Sequence, residues 1–249
     1  MKSNRIFIIV IVLLVIALAV SIVGNYLLFK QGEQYYNQLN LTRLDPLGLS
    51  VYPPQENENS EKPRVVFFGD SRVYQWPEPS GLEQFEFINR GIGAQTSTQA
   101  VERFDEHVLL LHPDIVLIQM CINDLKTIPL FPHLKSWIVT NCKNNIEWSV
   151  EETRNQGGIV ILTTIFPLGK LPIERRLFWS DDISEAIQEV NEYIYSLGGD
   201  GVIVFDTGQV LAGENGLVRD EYSRDFLHLN EVGYEALNEE LVSILEEID

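Results

Sequence analysis

From residue 64 onward the chain repeats one device: a short run rich in apolar residues, then a longer amphipathic stretch. The candidate strands are 65–68 (Val-Val-Phe-Phe), 86–89 (Glu-Phe-Ile-Asn), 115–120 (Ile-Val-Leu-Ile-Gln-Met), 159–163 (Ile-Val-Ile-Leu-Thr) and 202–205 (Val-Ile-Val-Phe). A strand apolar at successive positions is buried on both faces, as in a parallel sheet held between helix layers. Helix candidates fall at about 97–111, 133–156 and 182–197, with a last one at 231–246. Pro113-Asp114 and Gly157-Gly158 punctuate the entries to two strands. This alternation predicts a three-layer α/β/α sandwich around a parallel sheet of about five strands.

The first sixty residues are of another kind. Ile6 to Phe29 carries no charge, and as a helix it would be about 36 Å long, enough to cross a bilayer core. Ala17-Leu18-Ala19 offers a signal-peptidase site, but the apolar run continues to Phe29, which a cleaved signal does not need. The reading is an uncleaved signal-anchor. Lys2 and Arg5 precede the span, so the positive-inside bias puts the N-terminus in the cytoplasm and the bulk of the chain on the extracytoplasmic side. Residues 30–63 are polar and then proline-punctuated (Pro46, Pro53, Pro54, Pro63) and read as an extended, solvated stalk. The expected organisation is 1–5 cytoplasmic, 6–29 transmembrane, 30–63 stalk and 64–249 the folded domain.

Charge narrows the partners. The net charge is −18, and three of the 18 basic side chains (Lys2, Arg5, Lys30) lie in the acid-free first thirty residues. The remainder sets 15 basic against 36 acidic groups, which argues against a nucleic-acid partner. The two cysteines, Cys121 and Cys142, exclude a disulfide-built scaffold. An exported chain permits one bridge between them, but Cys121 closes an apolar run and reads as a buried thiol.

Topology gathers the polar residues. Ser71 follows the first strand, Gly91-Ile92-Gly93-Ala94-Gln95-Thr96 the second, Asn123-Asp124 the third, and Asp225 and His228 the fifth. All lie after carboxyl ends of strands, the edge where open α/β sheets collect ligands and chemistry. Asp225 and His228 are three apart, a spacing that in a turn or first helical turn sets a carboxylate beside an imidazole. The carboxylate would fix the tautomer, leaving the other ring nitrogen to take the proton of Ser71 as it attacks an acyl carbon. The Asn123 amide and backbone N–H groups of Ser71 and the Gly93-Ala94 loop are available as oxyanion donors.

The blocks 67-FFGDSRV-73, 89-NRGIGAQTS-97, 122-IND-124 and 225-DFLH-228, in this order, resemble those of the SGNH, or GDSL, hydrolase family over roughly residues 64–249. The resemblance implies a flavodoxin-like sandwich and a serine esterase or related acyl hydrolase that uses no metal or other cofactor. Carried over by position, Ser71 is the nucleophile, His228 the base and Asp225 its partner, with Ser71, Ala94 and Asn123 forming the oxyanion hole. Two positions depart from the family pattern. Ala94 stands where an oxyanion glycine belongs, which is tolerable at negative φ; a positive φ would shift that role to Gly93. Cys121 stands where the third block begins with glycine.

Other readings are weaker. GIGAQT lacks the third glycine of a dinucleotide fingerprint and follows the second strand, and no G-x-S-x-G elbow is present. His107 and His112 belong to a helix and its exit at the amino edge, opposite the rim, and read as structural. His133 follows the third strand but has no carboxylate partner evident in sequence, and no metal-ligand spacing occurs apart from Asp225/His228. Phe166, Leu168, Leu171, Phe178 and Trp179 are expected to line or lid an acyl pocket. The expected substrate is an ester of a lipid, glycan or small molecule, reached from a membrane tether. The alternatives are an O-acyltransferase using the same triad, or a catalytically silent SGNH-fold binding or scaffold module.

Overall fold

The computed structural model describes residues 2–52 and 61–248. Helix α1 (Lys2–Leu44) runs for 43 residues, about 64 Å at 1.5 Å per residue. Its uncharged part presents apolar side chains on every side, all exposed, and it is the one described helix long and apolar enough to cross a membrane. A signal sequence would meet the same criteria. The helix does not end where the charge begins. Residues 30–44, expected as extended stalk, continue it, with Lys30 and Glu33 paired at 2.8 Å one turn apart. It stops at Leu44, just before Asp45-Pro46, because a residue preceding proline is pushed out of the helical region.

A second compact unit begins at Leu47 rather than at residue 64. The Tyr52 hydroxyl donates to Gly91 O at 2.6 Å, and Gln95 Nε2 donates to Leu47 O at 2.7 Å. The Arg90 guanidinium lies over the Tyr52 ring at 4.8 Å. These contacts bind 47–52 to the end of the second strand and the loop after it, and no composition signal announces them. Residues 53–60 of the expected stalk lie outside the described residues.

The unit is built on strands β1 (Arg64–Gly69), β2 (Glu86–Gly91), β3 (Ile115–Gln119), β4 (Ile159–Thr163) and β5 (Val202–Phe205), all parallel in the order β2-β1-β3-β4-β5. Between and after them come α2 (Ser71–Tyr74), α3 (Ser97–Glu102), α4 (Phe104–His107), α5 (Ile122–Leu125), α6 (Lys135–Asn155), α7 (Asp181–Ser196), α8 (Thr207–Leu211) and α9 (Glu231–Ile248). Alternate strand residues face opposite layers. Val66, Phe68, Val116, Ile118, Val160 and Leu162 meet α3, α4, α6 and α7, whereas Val65, Phe67, Ile115, Leu117, Ile161 and Phe205 meet α8 and α9. In α9 the spacing of Tyr234, Leu237, Leu241 and Leu245 lays one apolar stripe on the sheet. Each such side chain contributes about 1.5–3 kcal/mol by leaving water.

The expected helix over 97–111 is instead broken at Arg103 and Val108. Arg103 is buried, and its guanidinium donates to Gln95 Oε1 at 2.6 Å and Gly69 O at 3.0 Å. Those bonds hold it out of helical geometry, at φ −110°. The strand order reverses between β1 and β3, which leaves a crevice outside their carboxyl ends.

Candidate active site

Ser71 opens α2 immediately after β1. Gly69 must be glycine, since a Cβ there would lie 1.8 Å from Gln119 O of β3. Gly91 must be too, because a Cβ there would lie 2.1 Å from Tyr74 N. Asp70 caps the helix, accepting from Arg72 N at 2.9 Å. Its buried carboxyl is pushed up to about 6 by desolvation, against the pull of Arg72.

Ser71 Oγ lies 3.0 Å from His228 Nε2. His228 Nδ1 lies 2.9 Å from Asp225 Oδ2 and 3.0 Å from Oδ1. The carboxylate is fixed in turn, accepting from Leu227 N at 2.8 Å and His228 N at 2.9 Å. Partial burial raises the Asp225 pKa, but the Leu227 and His228 N–H groups and the imidazole outweigh it and hold the carboxyl below the usual carboxylate range. A charged Asp225 selects the His228 tautomer with its proton on Nδ1, so Nε2 faces Ser71 as an acceptor.

The second and third blocks adjoin. Asn123, buried in α5, donates from Nδ2 to Gln95 O at 2.9 Å. Asp124 is a structural carboxylate: its two oxygens accept from Ser97 N at 2.8 Å and Ser97 Oγ at 2.7 Å, tying α5 to the start of α3. Gly93 comes close to Ser71, since a Cβ there would lie 3.9 Å from Ser71 Cβ. Ala94 adopts φ 63°, the positive-φ case in which the loop's donor role would pass to Gly93, at a cost of about 1–2 kcal/mol.

Cys121 is not a free thiol. It forms a disulfide with Cys142 of α6, the Cα atoms 5.8 Å apart. It also sits at φ 87°, left-handed, at the N-cap of α5. A glycine takes that conformation freely, whereas here a cross-linked cysteine holds it. The apolar run that suggested a buried thiol does bury the sulfur, against a partner one helix away.

The expected pocket residues separate. Phe166 is fully buried in the core, edge-on to Trp76 at 5.7 Å and 5.1 Å beneath the Arg72 guanidinium. It does not line an open cleft. Trp179 packs edge-on against Phe226 at 5.4 Å, above the turn that carries Asp225 and His228, and Phe178 is exposed. Leu168 lines a separate cavity of about 640 Å³ with Ile165, Ile187 and Leu217; Leu171 is half-buried.

Two residues emerge only from the fold. Arg72, wholly buried, donates from Nε to Leu227 O at 3.0 Å and from Nη1 to Phe166 O at 3.3 Å. It thereby ties α2, which Ser71 opens, to the turn that carries His228. Lys126 donates to Asn123 Oδ1 at 2.5 Å. Only its i+3 spacing from Asn123 on a helix would have drawn notice in sequence.

A model of the GDSL-like lipase/acylhydrolase family matches residues 67–236. No curated protein matches. Among solved structures, the chain is similar to a GDSL-like lipase from Bacteroides thetaiotaomicron, at 23% identity and TM-score 0.60 over 80% of this chain and 94% of that one. It is similar to a lipase/acylhydrolase from Enterococcus faecalis, at 23% identity and TM-score 0.51 over 74% and 96% of the two chains. An acetylxylan esterase from Geobacillus stearothermophilus gives 19%, 0.51, and 75% and 95%. These likenesses are of fold, while the family match spans most of the second unit, and by that match the chain belongs to the GDSL-like lipase/acylhydrolase family.

Proposed function

We propose that this chain is a membrane-anchored serine esterase whose triad is Ser71, His228 and Asp225. One observation carries the reading: an unbroken hydrogen-bonded line from Ser71 Oγ through His228 to Asp225, at 3.0 and 2.9 Å, between residues 157 positions apart. Ser71 Oγ bonds the acyl carbon of an ester as its proton passes to His228 Nε2, and the carbonyl electron pair moves onto oxygen. The tetrahedral intermediate expels the alcohol, which takes the proton from His228. Water repeats the sequence on the acyl-enzyme, releasing the acid and restoring Ser71.

The oxyanion is received by the Ser71 N–H, the Asn123 amide and one N–H of the Gly93-Ala94 loop. The positive φ of Ala94 favours Gly93 as that loop donor. Trp179, packed on Phe226 of the histidine turn, and the exposed Phe178 beside it in sequence bound the acyl side.

Helix α1 is the anchor, with Lys2 and Arg5 before its apolar part holding the N-terminus in the cytoplasm. The Cys121–Cys142 bridge supports the same placement of the enzyme, since disulfides persist in oxidising compartments. The substrate is then an ester of an envelope lipid, a glycan or a secreted small molecule. Product analysis tests the reaction class. The full chain in detergent is given a short-chain chromogenic ester, with and without a glycan acceptor. Free acid in both cases supports hydrolysis, and acylated glycan would make it a transferase.

A further inference from the structure

The Asn123 carboxamide has one oxygen acceptor and two N–H donors to satisfy. Its neighbours leave no ambiguity about which end is which. Lys126 Nζ can only donate, so the atom 2.5 Å from it is Oδ1. Gln95 O can only accept, so the atom 2.9 Å from it is Nδ2. One N–H is thereby used on Gln95, and among the described hydrogen bonds the second has no partner.

Lys126 is itself unusual. Its ammonium is half-buried, yet among the described residues it makes no ion pair within 4.0 Å, and its short bond goes to a neutral amide. The charged groups that face it are Asp70 and Arg72 of the nucleophile turn, Asp124 of its own helix and Arg175 of the loop after β4. Burial lowers its pKa, as do Arg72 and Arg175, while Asp70 and Asp124 oppose them.

We propose that Lys126 is the positioning residue of the oxyanion hole. Its ammonium locks the Asn123 carboxamide with the second N–H turned toward the acyl oxygen, and its charge acts by polarising that donor. The assignment rests on the reading of Asn123 as an oxyanion donor. A lysine on Oδ1 prevents the amide from flipping and polarises its N–H bonds, so the donor is strongest when negative charge develops on the substrate. The effect belongs to the transition state and appears in kcat rather than KM.

The test compares Lys126→Met, Lys126→Arg, Asn123→Ala, the Met/Ala double variant and Ser71→Ala, all as full chain in detergent on a chromogenic acetate ester. Thermal melts check each fold. Removing an oxyanion donor costs on the order of a hundred- to a thousandfold in kcat, and Lys126→Met is expected to cost roughly tenfold to a hundredfold, with KM nearly unchanged. Lys126→Arg restores most of the loss. The double variant matches Asn123→Ala alone, because Lys126 acts only through that amide. Wild type loses kcat on the alkaline side as Lys126 gives up its proton, a limb absent from Lys126→Arg. Wild-type kcat in Lys126→Met, multiplicative losses in the double variant, or an alkaline limb that survives Lys126→Arg would overturn the assignment. If Ser71→Ala stays active or Asn123→Ala is silent, the site reading itself fails, whatever Lys126 does.

Discussion

Cys121 and Cys142 are joined across 21 positions of sequence, and Cys121 stands two residues before Asn123, so the bridge fastens the start of α5 to helix α6. A loop of that length, closed in the denatured state, raises stability by about 3 kcal/mol. The variant Cys121→Ser/Cys142→Ser is expected to unfold at lower denaturant by that order, and reductant should lower the wild-type midpoint similarly. Equal midpoints with and without reductant, with the bridge shown to be reduced, would contradict this.

Asp70 gives a pH dependence of stability. Its folded pKa is raised from 3.8 to about 6 by burial, so the folded state binds the proton more tightly than the unfolded one. That contribution is complete below the unfolded pKa and is lost as pH rises through the folded one. The loss between those values amounts to about 3 kcal/mol. Asp70→Asn keeps an N-cap acceptor and never ionises. Its stability relative to wild type should therefore rise from pH 4 to pH 7, and a difference that stays constant over that range would refute the assignment.

Asp225→Asn leaves the turn's hydrogen-bond acceptor but removes the charge that selects the His228 tautomer. By analogy with other triads, kcat should fall by roughly a hundred- to ten-thousandfold with KM little changed. Retention of more than a tenth of wild-type kcat would assign Asp225 a structural role only.

Phe166 and Phe178 divide the expected acyl pocket into a core residue and a surface one. Phe166→Ala should destabilise by about 3–5 kcal/mol and leave the ratio of short- to long-chain ester turnover unchanged in the folded fraction. Phe178→Ala should do the reverse, altering that ratio at little cost in stability. Assays across acyl lengths, with melts beside them, separate the two.

Much of this frame was legible in the sequence because its signals are local. Unalternated runs such as Val65–Phe68 and Ile115–Gln119 mark buried parallel strands, and Asp225/His228 are neighbours by spacing. What the sequence hid depends on long-range partners. Arg103 breaks the helix expected over 97–111 by reaching Gly69 and Gln95. Cys121 in an apolar run looks the same whether or not Cys142 lies opposite. Residues 30–44 are polar, as a stalk would be, yet contain nothing that stops a helix before Pro46. Phe166 has the composition of a pocket residue and the position of a core one. Arg72 and Lys126 acquire a role only when the loops they hold come together.

The most direct test of the central claim is covalent labelling of Ser71. The full chain and its Ser71→Ala variant, both folded in detergent, are treated with a fluorophosphonate serine probe and assayed on a short-chain chromogenic ester. Labelling and turnover in wild type, both absent from Ser71→Ala, are the expected result. A folded wild type that neither labels nor turns over ester, or a variant that does both, would contradict the account.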